Sequence, residues 1–127
     1  IYTLVELDDA VIKLAQEFVA EKYLKNIVFY CEDAYDYVKN CNETFDLIAM
    51  DIFLDISTPN KFRSLDFLKN LERILLPNGH LIYNTLNLDE ISATLSQEFY
   101  ENSFSTIFTD NQIIKTSGNN MLLYQKK

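Results

Sequence analysis

The period of apolar and polar positions changes regularly along the chain. Ile1 to Leu7 is an apolar, β-branched and aromatic run that ends in the acids Glu6, Asp8 and Asp9, the pattern of a buried parallel strand followed directly by a helix capped by Asp8. Ala10, Val11, Leu14, Ala15, Phe18 and Val19 then recur at helical spacing and predict an amphipathic helix to about Glu21. Asn26 to Tyr30 reads as a second strand, and Ala34 to Asn40 as a helix with Tyr37 and Val38 turned inward. Phe45 to Met50 is a third strand that delivers Asp51 at its carboxyl end, before a loop from Ile52 to Asn60 containing Asp55, Ser57, Thr58 and Pro59. Phe62, Leu65, Leu68, Leu71 and Leu75 mark a strong amphipathic helix that stops at Leu76-Pro77-Asn78-Gly79. His80 to Asn84 is a fourth strand, and Asp89 to Tyr100 a helix with Ile91, Leu95 and Phe99 on one face.

The tail breaks the alternation. Phe104 to Thr109 and Asn120 to Gln125 both read as strands, joined by a polar connection through Ser117, Gly118, Asn119 and Asn120, which favours an antiparallel pair. The order β-α-β-α-β-α-β-α-β-β predicts a Rossmann-like α/β fold. Its sheet is mostly parallel, with helices on both faces and right-handed crossovers, and it closes on an antiparallel C-terminal strand pair. No internal repeat or interdomain linker interrupts it, so residues 1–127 read as a single domain.

Composition narrows the function classes. A chain of 127 residues, 48% hydrophobic and 24% charged, is sized for one core. Its net charge of -8 leaves 11 scattered basic residues, with only Lys126 and Lys127 adjacent, and so no footprint for a nucleic-acid backbone. An acidic surface is compatible with a cationic substrate, but it more often just keeps a domain soluble. Cys31 and Cys41 fit neither a disulfide scaffold nor a zinc site, and read as free cytoplasmic thiols. No apolar run approaches the roughly 20 residues that span a bilayer. The expected partner is therefore a small molecule, not nucleic acid or membrane.

In open α/β sheets ligands bind beyond the carboxyl ends of the strands. Three acids fall there: Glu6, Asp33 and Asp51. A carboxylate at Glu6 suits the two hydroxyls of a ribose, although an acid before a helix is also favoured by the macrodipole. Asp33 suits an exocyclic amine of adenine, with Ala34 leaving room for the flat ring; capping the helix that starts at Ala34 is the plainer role, and one residue can do both. Asp51 faces the place where a transferred group would lie and could orient or deprotonate an amine, while Asp55 reads as a turn residue. His80 lies at the wrong end of its strand. Tyr30, Tyr35 and Tyr37 read as packing residues, and Cys31 shows no sign of a reactive thiolate.

The segments VELDDAVIKLA (Val5 to Ala15), CEDAYDYVKN (Cys31 to Asn40), FDLIAMDIF (Phe45 to Phe53) and LERILLPNGHLIYN (Leu71 to Asn84) resemble successive motifs of the class I S-adenosylmethionine-dependent methyltransferase fold, in its spermidine synthase-like group. The resemblance covers Ile1 to Asn84, and the final strand pair agrees with it. It implies that Glu6 holds the ribose hydroxyls, that Asp33 and Ala34 contact adenine, and that Asp51 is the catalytic acid. It also implies S-adenosylmethionine or its decarboxylated form as donor, and a small-molecule acceptor such as an amine.

The chain departs from the group in two places. After the third strand it has Asp51-Ile52-Phe53-Leu54-Asp55 in place of the Asp-Ser-x-Asp-Pro-like run of polyamine aminopropyltransferases. It also begins at the strand that is second in the family order 3-2-1-4-5-7-6, so the central first strand and its glycine-rich turn are expected to be missing. That predicts an N-terminally truncated domain with weak donor binding by this chain alone, its open strand edges closing on each other, covered by another chain as in a homodimer, or filled by the rest of a longer protein. Three readings follow. The leading one is a small-molecule methyltransferase. An aminopropyltransferase is the second, and a catalytically silent Rossmann-like association module the third. A nicotinamide-binding domain fits the terminal strand pair less well. A glycine-rich turn encoded upstream of Ile1 would favour the enzymes over the silent module.

Overall fold

The computed structural model describes residues 1–54 and 57–127, so Asp55 lies outside the described residues. The chain divides into two compact units, Ile1–Cys41 and Asn42–Lys127.

In the first unit β1 (Tyr2–Glu6) runs parallel to β2 (Ile27–Cys31), in a register that sets Glu6 against Cys31. Two helices, α1 (Asp9–Phe18) and α2 (Glu21–Leu24), lie between these strands in the chain. Asp8 caps α1 as expected, its carboxylate accepting from the Ala10 amide at 2.8 Å. The face of α1 differs from the periodic reading. Ile12 is its buried residue, whereas Val11, Leu14 and Phe18 are exposed. Two strands about 4.8 Å apart make too narrow a floor to cover a wide apolar stripe. The unit ends in α3 (Ala34–Asn40), with Val38 buried and Tyr30 packed on Tyr37 at a ring separation of 5.0 Å.

The second unit is a four-stranded sheet in the order β3-β4-β6-β5, formed by β3 (Phe45–Met50), β4 (Leu75–Asn87), β5 (Gln112–Lys115) and β6 (Gly118–Gln125). The β3–β4 pair is parallel, while β6 is antiparallel to both β4 and β5. The strand pairings β1-β2 and β3-β4-β6-β5 are those of a Rossmann-like fold with an antiparallel C-terminal pair.

The expected helix after β3 is split. Asn60–Arg63 is a 3₁₀ turn, and Ser64 caps α4 (Leu65–Ile74) by accepting from the Phe67 amide at 3.2 Å. Phe67, Leu68, Leu71 and Ile74 form its buried face. The stop at Pro77-Asn78-Gly79 is an excursion within β4, where the register jumps from Phe45↔Leu75 to Leu47↔His80. Asn78 takes the left-handed φ of 65° there. Gly79 is needed for close approach, since a Cβ would lie 2.8 Å from the Leu76 carbonyl oxygen and 3.1 Å from that of Asp46.

Lys126 ties this corner together. Its ammonium donates to the Glu72 and Leu75 carbonyls at 2.7 and 2.9 Å and pairs with the Glu72 carboxylate at 3.1 Å. These are last-turn acceptors of α4 that a lysine satisfies well. Lys126→Met should therefore lower stability by about 1–2 kcal/mol, measured by urea unfolding, because it strips charged donors from half-buried carbonyls.

α5 (Glu90–Phe99) opens with a capping box in which Asp89 accepts from the Ser92 amide at 2.7 Å and the Ser92 hydroxyl accepts from the Asp89 amide at 3.0 Å. The Ser92 amide and hydroxyl hold the Asp89 carboxyl below its usual range, a contribution to stability that is lost on acidification. Ser92 and Phe99 take the buried positions of this helix, and Ile91 is exposed, contrary to the periodic reading.

The largest correction concerns Phe104 to Thr109, which is not a strand. A π-helical turn (Tyr100–Phe104) leads into α6 (Ser105–Ile107), and the strand expected there is β5, several residues later. The reason is aromatic packing. Phe99 and Phe104 are five residues apart, a spacing that a π turn brings to one side, and Phe108 follows four residues on. Phe104 packs within 4.7 Å of Phe108 and 6.0 Å of both Phe99 and Tyr83, and Phe108 reaches Tyr124 at 4.9 Å. The helical course wins because the π turn sets Phe104 on the side of Phe99 and Tyr83, and one further helical turn adds Phe108 to the same buried ring cluster. Tyr83, on the same covered face of the sheet, donates to the Phe62 carbonyl at 2.9 Å, and burial pushes its phenol far up.

Candidate functional site

The parallel register of the first unit sets its two candidate acids at one end of the sheet. Glu6 closes β1 opposite Cys31, and the Glu32 amide donates to the Glu6 carbonyl at 3.1 Å, so the chain leaving β2 turns past Glu6 before reaching Asp33. Glu6 is half-buried, with Oε1 accepting from the Asp8 amide at 2.9 Å. That bond orients the carboxylate, and each carboxylate oxygen has two lone-pair directions, so the group keeps acceptor capacity for a diol. Asp33 caps α3, its Oδ1 accepting from the Tyr35 amide at 2.9 Å, and Ala34 is the first residue of that helix. The capping role is thus observed, and it holds the Asp33 side chain at the strand end. Cys31 is exposed, with its Sγ 3.8 Å from the Leu7 carbonyl oxygen.

Asp51 belongs to the second unit. It is the residue immediately after β3, exposed, with Oδ1 accepting from Asn84 Nδ2 at 2.8 Å. Asn84 in turn accepts from Asn119 Nδ2 at 2.8 Å. Periodicity placed Asn84 at a strand end and Asn119 in a polar connection, without assigning either a role. A signal was present, since Asn84 terminates an apolar run at the same end of the sheet as Asp51. His80 is exposed and pairs with Gln125, away from these residues, as its place at the start of a strand implied.

A separate small cavity of about 20 Å³ is lined by Ser57, Thr58, Arg63, Thr85, Ser92 and Ser96 among others. Arg63 Nε is buried there with no hydrogen-bond partner among the described residues. The volume suits one water molecule, which would accept from that nitrogen.

The glycines have structural duties. Gly79 sits in the β4 excursion, and Gly118 opens β6 with a φ of 89° that an L side chain rarely adopts. Neither belongs to a strand-to-helix turn of the kind that cradles the polar end of a nucleotide-like ligand. No group of histidine, cysteine and acidic residues arranged to hold a metal ion occurs among the described residues, and no helix there is long and apolar enough to cross a membrane.

A family model described as a methyltransferase domain matches residues 2–126. The chain belongs to this methyltransferase domain family. No curated protein matches it by sequence. Among solved structures, human methyltransferase-like protein 13 in complex with SAH superposes with a TM-score of 0.82 at 20% identity, over 98% of this chain and 60% of that one. A probable spermidine synthase from Corynebacterium glutamicum gives 0.79 at 21% identity, over 97% of this chain and 46% of that one. The N-methyltransferase NodS from Bradyrhizobium japonicum, in complex with S-adenosyl-L-homocysteine, gives 0.64 at 16% identity, over 98% of this chain and 65% of that one. The methyltransferase domain described here thus spans less than two thirds of each. At these identities the likeness establishes the class I fold.

Proposed function

We propose that the protein is an S-adenosylmethionine-dependent transferase acting on a small molecule, in the first place a methyltransferase. The observation that carries this is the placement of Glu6 and Asp33 at and just beyond the carboxyl ends of adjacent parallel strands, in a chain that the methyltransferase domain matches almost end to end. Glu6 would take the ribose hydroxyls, while Asp33 and Ala34 would meet the adenine edge and face. Two acceptor carboxylates suit that donor set, because an adenosyl group offers hydroxyl and amine protons there. When bound, the cofactor supplies a carbon activated by a neighbouring sulfonium.

The chain's own contribution to transfer is orientation and proton removal. Asp51 would orient an amine acceptor and take the proton released as the new C–N bond forms. Because a sulfonium donor would depart as a neutral thioether, no acid from this chain would be required. A fixed carboxylate after the third strand also fits aminopropyl transfer, and the likeness to a probable spermidine synthase makes this the second reading. Parallel assays with S-adenosylmethionine and its decarboxylated form separate the two.

Calorimetry with the intact protein tests the shared part. S-adenosylmethionine should bind, and Glu6→Gln should weaken it about tenfold or more by replacing an acceptor pair with one acceptor and one donor. Equal affinity for wild type and Glu6→Gln would refute the ribose assignment, and absence of binding would refute the donor.

A further inference from the structure

We propose that Asn84 and Asn119 form an amide relay that positions the Asp51 carboxylate, leaving Oδ2 as the oxygen that receives the acceptor's proton. This rests on the reading of Asp51 as the acid that handles the acceptor. The relay has only one self-consistent direction. A carboxylate can only accept, so Asn84 presents its NH₂ group to Asp51 Oδ1, at 2.8 Å. Its carbonyl oxygen then faces the other way, where it accepts from Asn119 Nδ2, also at 2.8 Å. Without Asn119, the Asn84 amide is free to flip and present an oxygen to the acid.

Strand geometry explains why these two asparagines meet. In the β4–β6 register Asn84 opposes Met121, and Leu86 opposes Asn119. Asn84 and Asn119 are therefore a diagonal pair on one face of the sheet, within reach of each other across the strands. Asn119 is itself fixed by the turn between β5 and β6. Its carbonyl accepts from the Thr116 amide at 2.9 Å and the Thr116 hydroxyl at 3.1 Å. Beside it, Gly118 supplies the positive φ and leaves room for Leu88, whose Cδ2 would lie 2.9 Å from an added Cβ. The hairpin thus sets Asn119, Asn119 sets Asn84, and Asn84 sets Asp51. The acid is exposed, where an unrestrained carboxylate would rotate freely, so this chain of hydrogen bonds supplies the orientation that transfer needs.

The test reads the relay directly and then its consequence. In two-dimensional NMR spectra of the intact protein, the Asn84 side-chain amide proton facing Asp51 should be displaced downfield by its charged acceptor. Asp51→Ala should abolish that displacement, and Asn119→Ala should weaken or broaden it while the rest of the spectrum stays dispersed; Asn119→Ser is the second variant if the first fails to fold. An Asn84 signal unchanged by both Asp51→Ala and an Asn119 variant overturns the relay. In transfer assays with 1,4-diaminobutane and n-butylamine as acceptor probes, Asn84→Leu should lower kcat roughly tenfold or more with an unchanged donor KM. Full kcat in Asn84→Leu alongside a crippled Asp51→Asn overturns the proposal but keeps the reading of Asp51. Full kcat in Asp51→Asn overturns that reading itself.

Discussion

Asp51→Asn is expected to reduce the rate of group transfer by two to four orders of magnitude, the usual range for a positioned general base, while leaving donor affinity within about twofold. The substitution is nearly isosteric, and the new side chain still has an oxygen to accept from Asn84. What changes is the other terminal atom, which becomes an NH₂ group. It can neither take a proton nor accept a hydrogen bond from an incoming amine. Because Asp51 is exposed and follows the last residue of β3, its replacement removes no packing, and the melting temperature should hold steady. Steady-state kcat and KM for both substrates, with a thermal melt of each variant, check this. A kcat within threefold of wild type would show that the acid is a turn residue, the plainer reading of its position.

Much of the path to Asp51 was legible in the sequence because it depends on local signals. An apolar β-branched run, an acid at its end and a helix-capping residue fix β1 with Glu6, β2 with Asp33, and β3 with Asp51, and each acid lies where its run placed it. Partnerships were not legible. Asn84 and Asn119 are 35 residues apart, and only the antiparallel register of β4 and β6 makes them neighbours. An asparagine after an apolar run reads the same whether it holds an acid or faces water. Helix faces were also misread where apolar residues are not buried within their own unit, as with Val11, Leu14 and Ile91. Periodicity shows that a face is apolar; it does not say what covers it. The segment from Phe104 failed for a third reason. Phe104, Ile107 and Phe108 have the composition of a strand, yet what decides their backbone is the ring cluster they join, which is tertiary.

That cluster carries the largest stability effect expected in the second unit. Phe104→Ala should destabilise it by about 3–5 kcal/mol, the cost of truncating a fully buried phenylalanine. Phe104 has no exposed surface and contacts the rings of Tyr83, Phe99, Tyr100 and Phe108. Lost transfer energy accounts for part of the cost. The rest comes from a cavity that cannot close, because its walls are fixed from several elements: Tyr83 by its bond to the Phe62 carbonyl, and Phe108 by Tyr124 of β6. The π-helical turn is also held in place by this ring, so the variant should loosen the connection between α5 and α6 before the rest of the unit. Urea unfolding with a constant m-value measures the total, and amide exchange of Glu101 to Ser105 reports the local part. Ile91→Ala is the matched control. Its side chain is 67% exposed on α5, so its cost should stay within about 0.5 kcal/mol. If the Phe104 variant lost less than about 1.5 kcal/mol, the aromatic cluster would not be what holds this segment helical, and the strand its composition suggests would again compete for residues 104–109.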